Sequence, residues 1–159
     1  MKKLYIDMDI CEKCPECVVK CDYYYHPSNN GILHLRELIS FAFYCRRCEE
    51  APCINSCPRD ALYKDDEKMV RRNTYLCISC YSCMSACPFG TIYRETTPYL
   101  TYNCDYCIDR SNGNPPVCVS SCPHNALQWE EGEENEKEEI FQLGERILVH
   151  IRRWKKDLE

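Results

Sequence analysis

Apolar residues in this chain come in short runs separated by charge and by cysteine, and each run predicts a small element. Leu4-Tyr5-Ile6-Asp7 reads as a short strand, and Ile32-Leu33-His34-Leu35-Arg36, apolar and polar in alternation, as a half-buried one. The segments Ala61-Leu62-Tyr63 and Met69-Val70-Arg71-Arg72 flank the charged stretch 64–68 and predict a β-hairpin. A second hairpin is predicted from Thr91-Ile92-Tyr93-Arg94 and Tyr99-Leu100-Thr101-Tyr102, around a turn that holds Pro98. From Glu130 to Glu139 eight of ten residues are Glu or Lys, which predicts a solvated, mobile linker. Beyond it Ile140, Phe141, Leu143, Ile147, Leu148, Ile151 and Trp154 recur at three- and four-residue steps. That spacing predicts an amphipathic helix over 140–159, with Arg152, Arg153, Lys155 and Lys156 toward its C-terminal end, docking on a partner subunit or on its own domain. No window approaches the roughly 18 apolar residues of a membrane span.

The joints between these elements are made of cysteine. All 16 fall into four tetrads: Cys11, Cys14, Cys17 and Cys21; Cys45, Cys48, Cys53 and Cys57; Cys77, Cys80, Cys83 and Cys87; and Cys104, Cys107, Cys118 and Cys122. The third reads C-x2-C-x2-C-x3-C-P. In bacterial two-cluster ferredoxins three thiolates of such a run bind one [4Fe-4S] cube and the fourth reaches a second. Residues three apart in a tight loop point their Cβ atoms to one side, whereas the fourth cysteine sits where the chain leaves the loop. Pro58, Pro88 and Pro123 follow three of the terminal cysteines and suit a chain starting a short helical turn; Asp22 follows the other. Loop, helical turn and hairpin repeat, and Cys57-Pro58-Arg59-Asp60-Ala61-Leu62 matches Cys122-Pro123-His124-Asn125-Ala126-Leu127, so the chain carries an internal duplication.

Two other uses of cysteine fit less well. Disulfides belong to oxidising compartments, and the N-terminal stretch 1–7 has no apolar signal core. Structural zinc sites use two separated pairs of ligands, which leaves a third cysteine inside each loop without a place. Composition agrees with iron and sulfur. The apolar fraction of 45% includes 16 Cys and 12 Tyr but only 4 Phe and 2 Trp, so the clusters themselves are expected to form the core and folding to depend on their insertion. Tyr23, Tyr24 and Tyr25 are expected to pack over a cluster. The net charge of −5 grows by about −2 for each oxidised cube, which argues against a nucleic-acid partner. Free thiolates require a reducing compartment, and a cytoplasmic protein is expected.

Over residues 4–129 the chain resembles the four-cluster electron-transfer subunits of the dimethyl-sulfoxide-reductase type, found with formate dehydrogenases and carbon monoxide dehydrogenase. The resemblance rests on a first motif without proline (Cys21-Asp22-Tyr23), a second with a widened gap (Cys48 to Cys53), a third of plain ferredoxin form, and a fourth split between Cys107 and Cys118. It implies four [4Fe-4S] clusters with crossed ligation. Cys11, Cys14, Cys17 and Cys122 would hold one, and Cys104, Cys107, Cys118 and Cys21 its neighbour. Cys45, Cys48, Cys53 and Cys87 would hold a third, and Cys77, Cys80, Cys83 and Cys57 the fourth. The implied fold is α+β: two ferredoxin-like, two-cluster modules in tandem over 1–129, with short β-hairpins and helical turns, followed by the 130–139 linker and the 140–159 helix. Small iron-sulfur subunits of tungsten aldehyde oxidoreductases and of tungsten benzoyl-CoA reductases are similar in size.

Every tetrad is complete, so no iron is left open for substrate, and nothing else resembles a nucleophile, a phosphate loop or a paired acid and base. The expected role is therefore non-catalytic: an electron wire between a large oxidoreductase subunit, which the resemblance implies to be of the molybdenum- or tungsten-pterin, hydrogenase or carbon monoxide dehydrogenase type, and a further carrier such as a ferredoxin or a flavin subunit. The rival is a free-standing polyferredoxin that diffuses between partners.

Overall fold

The computed structural model describes residues 1–21, 28–99, 101–107 and 112–152. Its contacts divide the chain into two units, Met1–Ile32 with Asn103–Glu159, and Leu33–Tyr102. In the first, strand β1 (Lys3–Asp7) alternates half-buried and buried residues, as its apolar positions predict, with Leu4 and Ile6 inward. It leads through the single turn α1 (Met8–Cys11), capped by the Asp7 carboxylate on the Ile10 N–H at 3.2 Å. The split second segment supplies α5 (Val117–Ser121) and strands β4 (Leu127–Glu130), β5 (Ile140–Leu143) and β6 (Ile147–His150). Together they form one sheet of order β4-β1-β6-β5, in which β1 runs antiparallel to β4 and parallel to β6. Strand β6 is buried on both faces, with Ile147, Leu148 and Val149 at 0–1% exposure.

The second unit starts within α2 (Gly31–Ile39), at Leu33, and α2 is continued by a π-helical turn, Ser40–Tyr44. Short helices α3 (Pro52–Ser56) and α4 (Ser82–Ala86) pack on each other, and β2 (Leu62–Lys64) pairs with β3 (Val70–Arg72). The hairpin predicted around the charged stretch 64–68 is therefore present, with Leu62 opposite Arg72. Phe41, Leu62, Val70 and Ile92 make one apolar core cluster of the unit, and Cys45, Cys53 and Cys83 pack against it. Thiols thus take part in the core, as a sequence poor in Phe and Trp requires.

Four expectations are corrected. Residues 32–36 are helical, not extended: Ile32, Leu35, Arg36 and Ile39 form one buried stripe at helical spacing, and five residues are too few to separate a period of 2 from 3.6. Residues 94–96 form a 3-10 turn, and no strand occurs among the described residues of the expected second hairpin. The stretch 130–139 is ordered by a 3-10 turn at Glu136–Glu138 and by paired Asn135 and Ile140 backbones (2.9 and 3.0 Å). The amphipathic helix is replaced by the antiparallel pair β5 and β6, turning at Gly144 with φ +65°. Its apolar spacing also fits two four-residue strands rich in Ile and Val, and glycine at the midpoint favours the turn. Tyr23, Tyr24, Tyr25, His26 and Trp154 lie outside the described residues.

Candidate functional site

Three of the four cysteine loops share one backbone design. The second residue after the leading cysteine is left-handed at Arg47 (φ 52°), Ser79 (φ 53°) and Tyr106 (φ 58°). A side chain in that conformation costs roughly 1–2 kcal/mol. The conformation turns the N–H of Arg47 toward Cys45 Sγ (3.5 Å) and that of Ser79 toward Cys77 Sγ (3.4 Å), and Tyr106 donates in the same way to Cys104. Next come the helices α3, α4 and α5, each ending on the fourth cysteine: Cys57, Cys87 and Cys122 are C-cap residues with nearly equal extended torsions (φ −71 to −74°, ψ 113–118°). The helical turn therefore precedes the terminal cysteine, and the proline after it opens a tight turn instead of a helix. That turn closes on Asp60 (φ 52°), Gly90 (φ 67°) and Asn125 (φ 53°), the residue types that best tolerate φ above zero.

The side chains converge across runs. One cavity, about 390 Å³ including its open mouth, is lined by Cys45, Cys48 and Cys53 with Cys87. A second, about 360 Å³, is lined by Cys77, Cys80 and Cys83 with Cys57. In the first unit a cavity of about 550 Å³ is lined by Cys104, Cys107 and Cys118 with Cys21. Each gathers three thiols of one run and the terminal thiol of another. Among the described residues no three His, Cys, Asp or Glu side chains are close enough to hold a lone metal ion. One lining residue of each of two cavities carries a buried polar atom without a hydrogen-bond partner: Nε1 of Trp129, which lines the cavity of Cys21, and Oγ1 of Thr97, which lines that of Cys57.

Cys11 and Cys122 are placed by the strands. In the second unit Cys57 stands five residues before Leu62 and Cys77 five after Arg72, and Leu62 pairs with Arg72. In the first unit Cys122 stands five residues before Leu127 and Cys11 five after Ile6, and Leu127 pairs with Ile6. Antiparallel pairing sends both arms out at the same end of the sheet. The Lys20 N–H also donates to Ser121 Oγ at 2.9 Å, fastening the first run beside α5.

Asn29 positions Cys21. Its amide donates to Cys21 Sγ at 3.1 Å and to the Asn103 carbonyl at 2.8 Å, while its Oδ1 accepts from the Asn103 N–H at 2.9 Å. One side chain so fixes Cys21 beside the run that begins at Cys104. Asn29→Ala removes all three contacts and is expected to cost about 2–3 kcal/mol, measurable as a lower denaturant midpoint of the loaded protein. The one trace of this role in the sequence is an asparagine just before the segment that folds as α2, which is equally the signature of a cap.

Charge reports the same groupings. Burial pushes the Cys104 thiol up to about 12, with Cys107 and Cys21 as charged neighbours, and pushes Cys118 up to about 12, with Cys104, Cys107 and Cys21. Burial raises Cys45 and Cys53 too, each with Cys87 among its neighbours, and takes Cys83 to about 11. Burial opposes ionisation of Cys87, but N–H groups of Phe89, Thr91 and Ile92 and the Thr91 hydroxyl outweigh it and hold the thiol below its ordinary value. The Ser82 hydroxyl and N–H lower Cys80, the one exposed cysteine. Grouped thiols that resist ionisation in water become thiolates when a cation replaces their protons.

The profile of the 4Fe-4S dicluster domain matches residues 36–132. The chain belongs to this family. Its cofactors are [4Fe-4S] clusters. The chain is similar to AegA of Escherichia coli K12 (35% identical over 137 residues, 74% of this chain and 20% of AegA). It is also similar to the B subunit of anaerobic dimethyl sulfoxide reductase from the same organism (32% over 149 residues, 79% of this chain and 71% of that subunit). A third relative is PhsB, the thiosulfate reductase electron transfer subunit of Salmonella typhi (37% over 94 residues, 58% and 49%). The chain spans a fifth of AegA and about half of PhsB. Among the described residues no helix is long and apolar enough to cross a membrane.

Proposed function

We propose that this 4Fe-4S dicluster protein is a non-catalytic electron-transfer subunit carrying four [4Fe-4S] clusters, two in each unit, as tandem ferredoxin-like modules. The observation that carries the reading is the crossed lining of the cavities, three thiols from one run and the terminal thiol of another. Cys45, Cys48, Cys53 and Cys87 hold one cluster and Cys77, Cys80, Cys83 and Cys57 its neighbour. Cys104, Cys107, Cys118 and Cys21 hold a third. By the equal strand arms, Cys11, Cys14, Cys17 and Cys122 hold the fourth.

The cavities fit such a group because their buried Trp129 Nε1 and Thr97 Oγ1 are donors lacking an acceptor, and the sulfides of a cluster accept hydrogen bonds. When bound, the clusters supply one-electron redox capacity. The residues supply the rest: cysteines fix position, the loop N–H groups of Arg47, Ser79 and Tyr106 stabilise negative sulfur, and Phe41, Leu62, Val70 and Ile92 keep water away.

The partner is a large catalytic oxidoreductase subunit, in keeping with the reductase names of two relatives, and of the molybdenum- or tungsten-pterin kind that the family resemblance implies, with a further carrier such as a ferredoxin or a flavin subunit at the other end. Anaerobically purified protein should contain about sixteen iron and sixteen acid-labile sulfide per chain. Half that amount would mean that two of the cysteine sets hold no cluster. Co-purification with a catalytic chain is expected; isolation alone, in full redox competence, would favour a diffusing polyferredoxin.

A further inference from the structure

Arg72 and Glu37 are an ion pair where a protein seldom keeps one. Their side chains are 3% and 9% exposed, and the contact is bidentate: Arg72 Nε to Glu37 Oε1 and Nη2 to Oε2 at 2.6 and 2.8 Å. Arg72 Nη1 also donates to the Pro98 carbonyl at 3.3 Å. Such a pair repays its desolvation only with tight geometry, and it adds little net stability compared with apolar packing. Its place suggests another use. Arg72 lines the cavity of Cys57, Cys77, Cys80 and Cys83, and its guanidinium hydrogen-bonds Cys77. The neighbouring cavity of Cys45, Cys48, Cys53 and Cys87 is lined by Arg46, an exposed side chain lying over the Phe89 ring at 4.2 Å, where water screens its charge. His34 faces the pair as well, and burial holds its imidazole below the ordinary range.

We propose that Arg72, clamped by Glu37 against Cys77, is a positioning residue that makes the cluster of Cys57, Cys77, Cys80 and Cys83 easier to reduce. Reduction adds negative charge to a cluster. A buried cation hydrogen-bonded to one of its thiolates stabilises the reduced form, and Glu37, on the far side of the guanidinium, offsets part of that effect while locking its orientation. Two neighbouring sites built from the same cysteine loop would thereby differ in potential through one buried cation. The inference rests on the cluster assignment proposed above.

The test is a redox titration followed by electron paramagnetic resonance on the full-length, iron-loaded protein. Cys80→Ala first identifies the signal of this cluster. Arg72→Gln is expected to lower its reduced-to-oxidised ratio at fixed potential tenfold or more, a shift of at least about 59 mV for a one-electron couple, and Glu37→Gln to move it the opposite way. The double variant Arg72→Gln/Glu37→Gln leaves no buried charge unpaired and should still shift downward. A double variant that keeps its iron and its signal unmoved would overturn the inference and leave the cluster assignment standing. One that loses the signal instead of displacing it would give the pair a structural role only and overturn it equally. If Cys80→Ala removed no signal, the assignment itself would fail, and the inference with it.

Discussion

A chain stopped after Glu139 is expected to lose the clusters of its first unit. The cut removes β5 and β6, and β6 is the parallel neighbour of β1 over Leu4–Ile147 to Asp7–His150. Ile147, Leu148, Val149 and Ile151 are all between 0 and 1% exposed. Burying such a side chain is worth roughly 1.5–3 kcal/mol, so losing the four removes a stabilisation comparable to the whole net stability of a small domain, about 5–15 kcal/mol. What remains of the sheet is β1 with β4, and an isolated two-stranded ribbon is marginal in water. The arms that carry Cys11 and Cys122 leave those two strands, so their thiols would no longer be held together. Iron should fall to about half of the full-length value, read by metal analysis of the purified protein. Retention of all the iron would mean that the tail is a separable segment, as its apolar spacing alone suggested.

That contrast marks where the sequence was legible. Local chemistry is written in single residues: glycine at 144, proline after a terminal cysteine and the charged stretch 64–68 each dictate a turn, and the turn at 64–68 made the β2–β3 hairpin readable. The same rule should have exposed the β5–β6 turn, because Gly144-Glu145-Arg146 separates two apolar runs. Seven apolar positions at three- and four-residue steps outweighed one glycine, although the tertiary neighbour of the segment, β1, lies more than a hundred residues earlier. No local pattern encodes that pairing. The helix over 31–39 failed differently: its polar members Arg36 and Glu37 are buried, so its inward face did not read as apolar.

The thiols were legible because cluster ligation needs cysteine at fixed spacing, a constraint on residue identity. What orders them was not. Asn29 on Cys21, Thr97 and Trp129 in the cavity walls, and Arg72 beside Cys77 are common residue types whose roles depend on distant partners: Asn103 for Asn29, Glu37 for Arg72. Nothing in a single sequence distinguishes such an arginine from one on the surface.

The sharpest consequence of the crossed arrangement concerns Cys87. Cys87→Ala should alter the cluster of Cys45, Cys48 and Cys53 and spare that of its own run. Cys87 caps the C-terminus of α4 in an extended conformation, where the chain leaves the loop of Cys77, Cys80 and Cys83. Its sulfur then meets donors from Phe89, Thr91 and Ile92, on the chain that follows, and it lines the cavity of the second run. The electrostatic neighbours agree: Cys45 and Cys53 both sense Cys87, whereas Cys83 senses Cys77 and Cys80. The cavity of the third run has its own fourth thiol, Cys57, whose sulfur accepts from the Ala61 N–H at 3.3 Å. Signals can be assigned with Cys48→Ala for the second run and Cys80→Ala for the third. Against that assignment Cys87→Ala should lose, or change in type, the signal that Cys48→Ala affects, with up to about four irons per chain released. If it abolished only the signal that Cys80→Ala affects, each run would ligate its own cluster and the crossed arrangement would be wrong. Cys57→Ala provides the reciprocal case, since the same geometry requires it to disturb the third run and leave the second intact.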